Sequence, residues 1–159
     1  MLRISRLTDY GTVVLAQLAG DESSVASAAE VAAATGLGLP TVSKILKTLC
    51  KANLVTSTRG AHGGYKLARH PADISAADVI DVLEGPISIT DCSAADRHCE
   101  LEAHCNVGSA WQRINVAIRR ALADISLLDL RKSNHAIPLF KFTGIPANYG
   151  KTNTDKKAL

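Results

Sequence analysis

Apolar residues Val13, Val14, Leu15 and Leu18 recur at helical spacing behind a possible cap at Thr8. Asp9 then stands in the first turn, where the helix dipole favours an acid, so the pattern predicts a helix over 8–19 that stops at Gly20. Ser27 and Glu30 have the spacing of a capping box and open a short Ala-rich helix that must end near Gly36. The connection "GLGLP" leads into the next helix with Pro40 at a first helical position and Val42, Ile45, Leu46 and Leu49 on its buried face. Two short helices joined by a brief Gly-containing turn form a helix-turn-helix pattern. Strand-like pieces at 54–58 and 65–68 follow, flanking a tip with Gly60, Gly63 and Gly64, and together read as a hairpin wing.

"SAAD", Ser75 to Asp78, starts another helix, carrying Val79, Ile80, Val82 and Leu83 and ending at Gly85. A second capping box, Ser109 with Gln112, opens the longest periodic run, in which Trp111, Ile114, Ile118, Ala121, Ile125 and Leu128 are spaced 3, 4, 3, 4 and 3 residues apart. Such a stripe can pack on its own domain. Because it follows a compact domain that already has a core, it is read as a homodimer helix, with Trp111, Ile114, Ile118, Ala121 and Ile125 at the interface. The expected fold is mostly α with a small β-hairpin wing. A winged helix-turn-helix spans 1–85, a cysteine-rich loop 86–108, a long dimerisation helix 109–130, and a polar tail with Pro138 and Pro146, read as flexible, 131–159.

Charge sharpens this layout. Residues 1–70 hold eight Lys/Arg against four Asp/Glu, and 31–70 hold no acid at all. Residues 71–106 invert the balance, with eight acids against Arg97 alone. An acid-free basic block on a winged helix is a footprint for double-stranded DNA rather than a merely solvated surface. The expected contacts are Thr41, Ser43, Lys44, Lys47 and Thr48 on the second helix of the pair, with Arg59, Gly63, Gly64 and Tyr65 in the hairpin, and His62 as a further donor. The start "MLRISRLTDYG" has no apolar leader, and nowhere do the roughly 18 apolar residues of a membrane span run together, so a cytoplasmic protein is expected.

Three of the four cysteines lie within "DCSAADRHCELEAHC". At 159 residues and 47% hydrophobic the chain can build a core without disulfides, and in a reducing compartment clustered thiols point to ligands or redox groups. The spacing C-x6-C-x5-C contains no C-x2-C pair of the kind that aims two thiolates at one zinc ion. Cys92, Cys99 and Cys105 suit the longer reach of an iron–sulfur cluster, [2Fe-2S] or [4Fe-4S], with a zinc or thiol redox switch as the alternative. A small thiol redox or sulfur-transfer enzyme would leave the winged domain unexplained, so no enzyme is expected. Cys50, four residues after Leu46, is read as a small core residue.

The combination of "LTDYG", the helix-turn-helix, "RGAHGGYKLAR", "ISAADVIDVLEGP", the three-cysteine loop and the long last helix resembles the Rrf-type winged-helix regulators of bacteria, which include IscR-like and NsrR-like proteins. "LTDYGTVVLAQLA", "LPTVSKILKTL" and "LEGPISITDCSA" look most like the subgroup that regulates Suf iron–sulfur assembly. The resemblance implies a dimeric, cluster-sensing repressor in which Cys92, Cys99 and Cys105 are ligands. The loop is one residue longer between its first two cysteines than in IscR-like and NsrR-like proteins. The histidine that IscR-like proteins carry three residues after the last cysteine is Gly108 here. Asp9 matches the amino-terminal aspartate that NsrR-like proteins supply across the dimer, and His104 is its local competitor as fourth ligand.

Overall fold

A computed structural model of the chain describes residues 4–21, 24–60, 63–93, 99 and 104–132. The readings of His62, of the Cys92 side chain and of the tail beyond 132 fall outside the described residues. In chain order the elements are α1 (Arg6–Leu18), α2 (Ala28–Thr35), α3 (Leu39–Lys51), β1 (Val55–Thr58), β2 (Gly64–Leu67), a 3-10 turn (Pro71–Asp73), α4 (Ala76–Leu83), a 3-10 turn (Asp91–Ser93), α5 (Gly108–Ala123) and α6 (Leu127–Lys132). A mostly helical chain with one antiparallel hairpin is the expected winged-helix class.

Local chemistry sets the boundaries. α1 begins before Thr8, because Ser5 is the cap: its hydroxyl accepts the Thr8 amide at 3.3 Å, and Thr8 itself is buried. The capping boxes at Ser27 with Glu30 and at Ser75 with Asp78 both form. The one expected at Ser109 does not, since α5 starts a residue earlier at Gly108, behind Val107, and has no side-chain cap. β1 and β2 pair from Val55 opposite Leu67 to Thr58 opposite Gly64. Ala26 adds a short third edge, exchanging two backbone hydrogen bonds with Tyr65 at 3.0 and 2.8 Å.

The core joins Leu15 of α1, Val31 of α2, Ile45, Leu46 and Leu49 of α3, and Ile74 and Val79 around the start of α4. Burying each such aliphatic side chain contributes about 1.5–3 kcal/mol. Leu127 belongs to the same core and is fully buried. Its presence there corrects the single helix expected over 109–130, which breaks at 124–126. Ser126 and Asp129 form a reciprocal cap, with the Ser126 amide on the Asp129 carboxylate at 3.0 Å and the Asp129 amide on the Ser126 hydroxyl at 3.1 Å. The chain turns back as α6, where Arg131 Nη1 donates to the Ala19 carbonyl at 2.9 Å.

α5 shows the opposite of an ordinary surface helix. Trp111 is 39% exposed, Ile114 43% and Val116 47%, whereas Asn115 is only 8% exposed. Asn115 Nδ2 donates to the Ile87 carbonyl at 3.0 Å, and its buried Oδ1 has no partner among the described residues. A buried acceptor without a partner costs about 1–3 kcal/mol.

If α6 is part of the reading head's core, Leu127→Ala lowers unfolding stability by about 2–5 kcal/mol in denaturant titrations. A loss well under about 1 kcal/mol would place α6 outside that core.

Candidate nucleic-acid interface and cysteine site

The amphipathic α3 buries Val42, Ile45, Leu46 and Leu49 against the core, which turns Lys44 and Lys47 into solvent and leaves Thr41, Ser43 and Thr48 partly exposed. The five expected side chains therefore share one accessible side of a single rigid helix. Thr48 uses its hydroxyl locally, donating to the Lys44 carbonyl at 3.1 Å. Arg59 is exposed at the end of β1, beside the wing tip. Gly63, Gly64 and Tyr65 have backbone and packing roles. A Cβ on Gly63 would collide with the Thr58 carbonyl, and one on Gly64 would meet the Ala26 backbone at 2.8 Å. Tyr65 packs against the core and carries the bridge to Ala26. Gly63 lets the hairpin close on itself, Gly64 and Tyr65 hold the wing against the reading head, and Arg59, Lys44 and Lys47 offer the exposed charge.

The cysteine segment joins α4 to α5. Gly85 adopts a left-handed φ of 94°, which lets the chain leave α4 sharply, and the strap from Pro86 onward runs to the 3-10 turn that holds the Cys92 backbone and packs on α5. Cys99 and Cys105 are free, half-buried thiols. Cys105 lies three residues ahead of α5, and a Cβ built on Gly108 would stand 3.7 Å from its sulfur. A side chain at 108 would thus begin beside Cys105. Glycine brings no ligand of its own beside Cys105.

His104 is exposed, as is Asp9 on α1. Among the described residues no three His, Cys, Asp or Glu side chains of one chain converge on a point that could hold a metal ion. Cys50 sits apart at the end of α3, where burial raises its thiol pKa against a weaker opposing hydrogen bond from Ser57.

Beside α5 lie two neighbouring hollows of about 960 and 840 Å³ that share Ile4, Ile80 and Leu122; Asp9 lines the first and Glu84 the second. The Glu84 carboxylate accepts the Ser5 amide at 2.7 Å, and its hydrogen bonds with Thr8 and Ser5 hold its pKa below the usual carboxylate value. Of the expected dimer residues, Trp111, Ile114 and Ala121 are exposed along α5 and Ile118 is half-buried. Ile125 lies past the helix end, and its carbonyl accepts the Ala76 amide at 2.8 Å. Among the described residues no helix is long and apolar enough to cross a membrane.

The sequence model of the Rrf2 family, described as an iron-dependent transcriptional regulator, matches residues 4–133. The protein rrf2 of Nitratidesulfovibrio vulgaris is 32% identical over 139 residues, which cover 86% of this chain and 92% of that protein. The solved structure of CymR, the global cysteine regulator of B. subtilis, is 33% identical with a TM-score of 0.65, covering 82% of this chain and 97% of its own. IscR of T. potens is 31% identical with a TM-score of 0.63, covering 86% and 93%. Sequence and fold agree over nearly the whole of the described chain: this protein belongs to the Rrf2 family of winged-helix, DNA-binding transcriptional regulators and is not an enzyme.

Proposed function

We propose that the chain is a homodimeric transcriptional repressor whose DNA affinity depends on an iron–sulfur cluster held by Cys92, Cys99 and Cys105, with Asp9 of the partner subunit as fourth ligand. The observation that carries this reading is the position of Cys105 at the foot of α5, where a Cβ on Gly108 would stand 3.7 Å from its sulfur and glycine supplies no ligand of its own. The outward apolar face of α5 and the hollows beside it supply the surface for a second copy. Asp9 lines one of those hollows, so a second chain seated there would meet it. Among the family's subgroups, the motifs named above favour the regulators of Suf-type iron–sulfur assembly.

When bound, the cluster supplies metal–thiolate bonds that are labile to oxygen, nitric oxide and iron shortage. The chain's own residues do the rest. Lys44, Lys47 and Arg59 neutralise phosphates, and α3 faces the major groove. Two reading heads must keep a fixed separation to engage two half-sites, and α1, which carries Asp9, packs directly on α3. Tying the partner subunit's Asp9 to the cysteine loop therefore biases the dimer toward one spacing of its heads. DNA affinity changes only as far as the two spacings differ in how well they are tied.

A thiol switch without a cluster is the second reading. It is favoured by the free, half-buried thiols Cys99 and Cys105 and by the likeness to CymR, a global cysteine regulator. Protein purified without oxygen separates the two readings, because a cluster brings colour, iron and acid-labile sulfide in stoichiometric amounts.

Cys92→Ala is expected to abolish iron and sulfide binding; full retention of both would remove the cluster assignment. Asp9→Ala is expected to keep the fold and shorten the cluster's lifetime in air, and an unchanged lifetime would move the fourth ligand to His104.

On the DNA side, Lys44→Ala and Arg59→Ala are each expected to weaken operator binding. Each should also lower the slope of log K against log salt by about 0.9, as one phosphate contact is lost. Unchanged affinity in both variants would overturn the assigned docking face.

A further inference from the structure

Asn115 sits where folding alone would place an aliphatic side chain. It is the residue of α5 that the chain buries, while Trp111, Ile114 and Val116 on the same helix stand exposed. It makes a single directional contact, from Nδ2 to the Ile87 carbonyl at 3.0 Å, and its Oδ1 is buried with no partner among the described residues. An apolar group there would relieve the dry Oδ1 but leave the Ile87 carbonyl without its donor, so the asparagine gains little in stability.

The contact gains position instead. Ile87 begins the strap that runs to Cys92, and both of its backbone groups are held. Its amide donates to Asp81 Oδ1 at 3.3 Å, and its carbonyl accepts from Asn115. Asp81 is itself gripped by the Arg119 guanidinium, with Nη1 at 3.2 Å from Oδ1, and Arg119 lies one helical turn beyond Asn115 on α5. Three residues before Ile87, Glu84 accepts the amide of Ser5, the cap of α1. One short segment, 81–87, is thus tied by polar contacts to the helix with the outward apolar face on one side and to the first helix of the reading head on the other. Apolar packing is non-directional and would let the strap slide; a hydrogen bond to one carbonyl fixes its register.

We infer that Asn115 is the positioning residue through which the state of the cysteine loop is transmitted to α1 and the DNA-reading head. The inference rests on the regulatory reading proposed above, and it concerns transmission rather than ligation.

The test uses full-length wild type and Asn115→Leu, each iron-loaded and chelator-stripped, with the duplex that the wild type selects from a random pool. Wild type is expected to bind the duplex with affinities that differ by about 5- to 150-fold between the two states, the usual span of allosteric coupling. Asn115→Leu is expected to stay folded, to retain its iron, and to bring that ratio close to one. In the stripped variant, amide hydrogen exchange should quicken over 86–91 and stay unchanged in α3. A merely structural asparagine would move the midpoint and leave the ratio alone, so a wild-type ratio in Asn115→Leu overturns the inference. Should that variant fail to fold, Arg119→Gln, at the half-exposed neighbouring tie, is expected to lower the ratio, and an unchanged ratio there overturns it equally. A wild type that binds iron and sulfide but shows no difference between its states overturns the transmission role and leaves the cluster assignment standing. A wild type with neither iron nor a response removes both.

Discussion

Two backbone hydrogen bonds, from the Ala76 amide to the Ile125 carbonyl and from the Leu127 amide to the Ile74 carbonyl, fix most of what is distinctive in this molecule. They stitch the chain beyond α5 to the start of α4, at 2.8 and 2.7 Å, and drop Leu127 into the core of the winged domain. With its far end anchored there and its middle joined through Asn115 to Ile87 and so to α4, α5 is a strut fastened to its own reading head at two places. A strut held at two places cannot roll freely to hide its apolar stripe. The stripe therefore faces outward, and the chain presents the surface that a second copy can cover.

The same arrangement explains why polar contacts concentrate between α4 and its neighbours. Asp81, Glu84 and Ile87 meet Arg119, Ser5 and Asn115 within a few residues of one another, and each pair joins different elements. Exposed pairs such as Arg119 with Asp81 add little to stability, since solvent screens them. Their value is geometric: they tie α1, α4 and α5 into one unit while leaving the basic face of α3 and the Arg59 edge of the wing free of acids. Charge is thus sorted along the chain, basic over α3 and the wing and acidic around the cysteine segment.

Much of this was legible beforehand because it is local. Ser27 with Glu30 forms its box as read, a helix starts at Ser75 as read, and the apolar face of α3 turns inward as its spacing requires. Where the reading slipped, two local signals competed. Ser5 and Thr8 both suit a cap, and the core took Thr8. Ser109 with Gln112 and Ser126 with Asp129 both have box spacing, and the second forms while the first does not. The regular 3, 4, 3 stripe ran across Ser126 and hid the break there.

Sequence alone therefore determined the winged-helix order, the acid-free basic stretch of α3 and the wing, the spacing of the three cysteines and the apolar stripe after them, because each is written in spacing and charge within a few turns. Tertiary structure decided which way that stripe faces, that Leu127 returns to the core, that Gly64 and Tyr65 brace the wing, and that an asparagine lies buried under the strap. Those outcomes depend on contacts between residues tens of positions apart, such as Asn115 with Ile87 and Arg131 with Ala19. Whether such distant groups meet is set by the packing of whole elements, which no local spacing records.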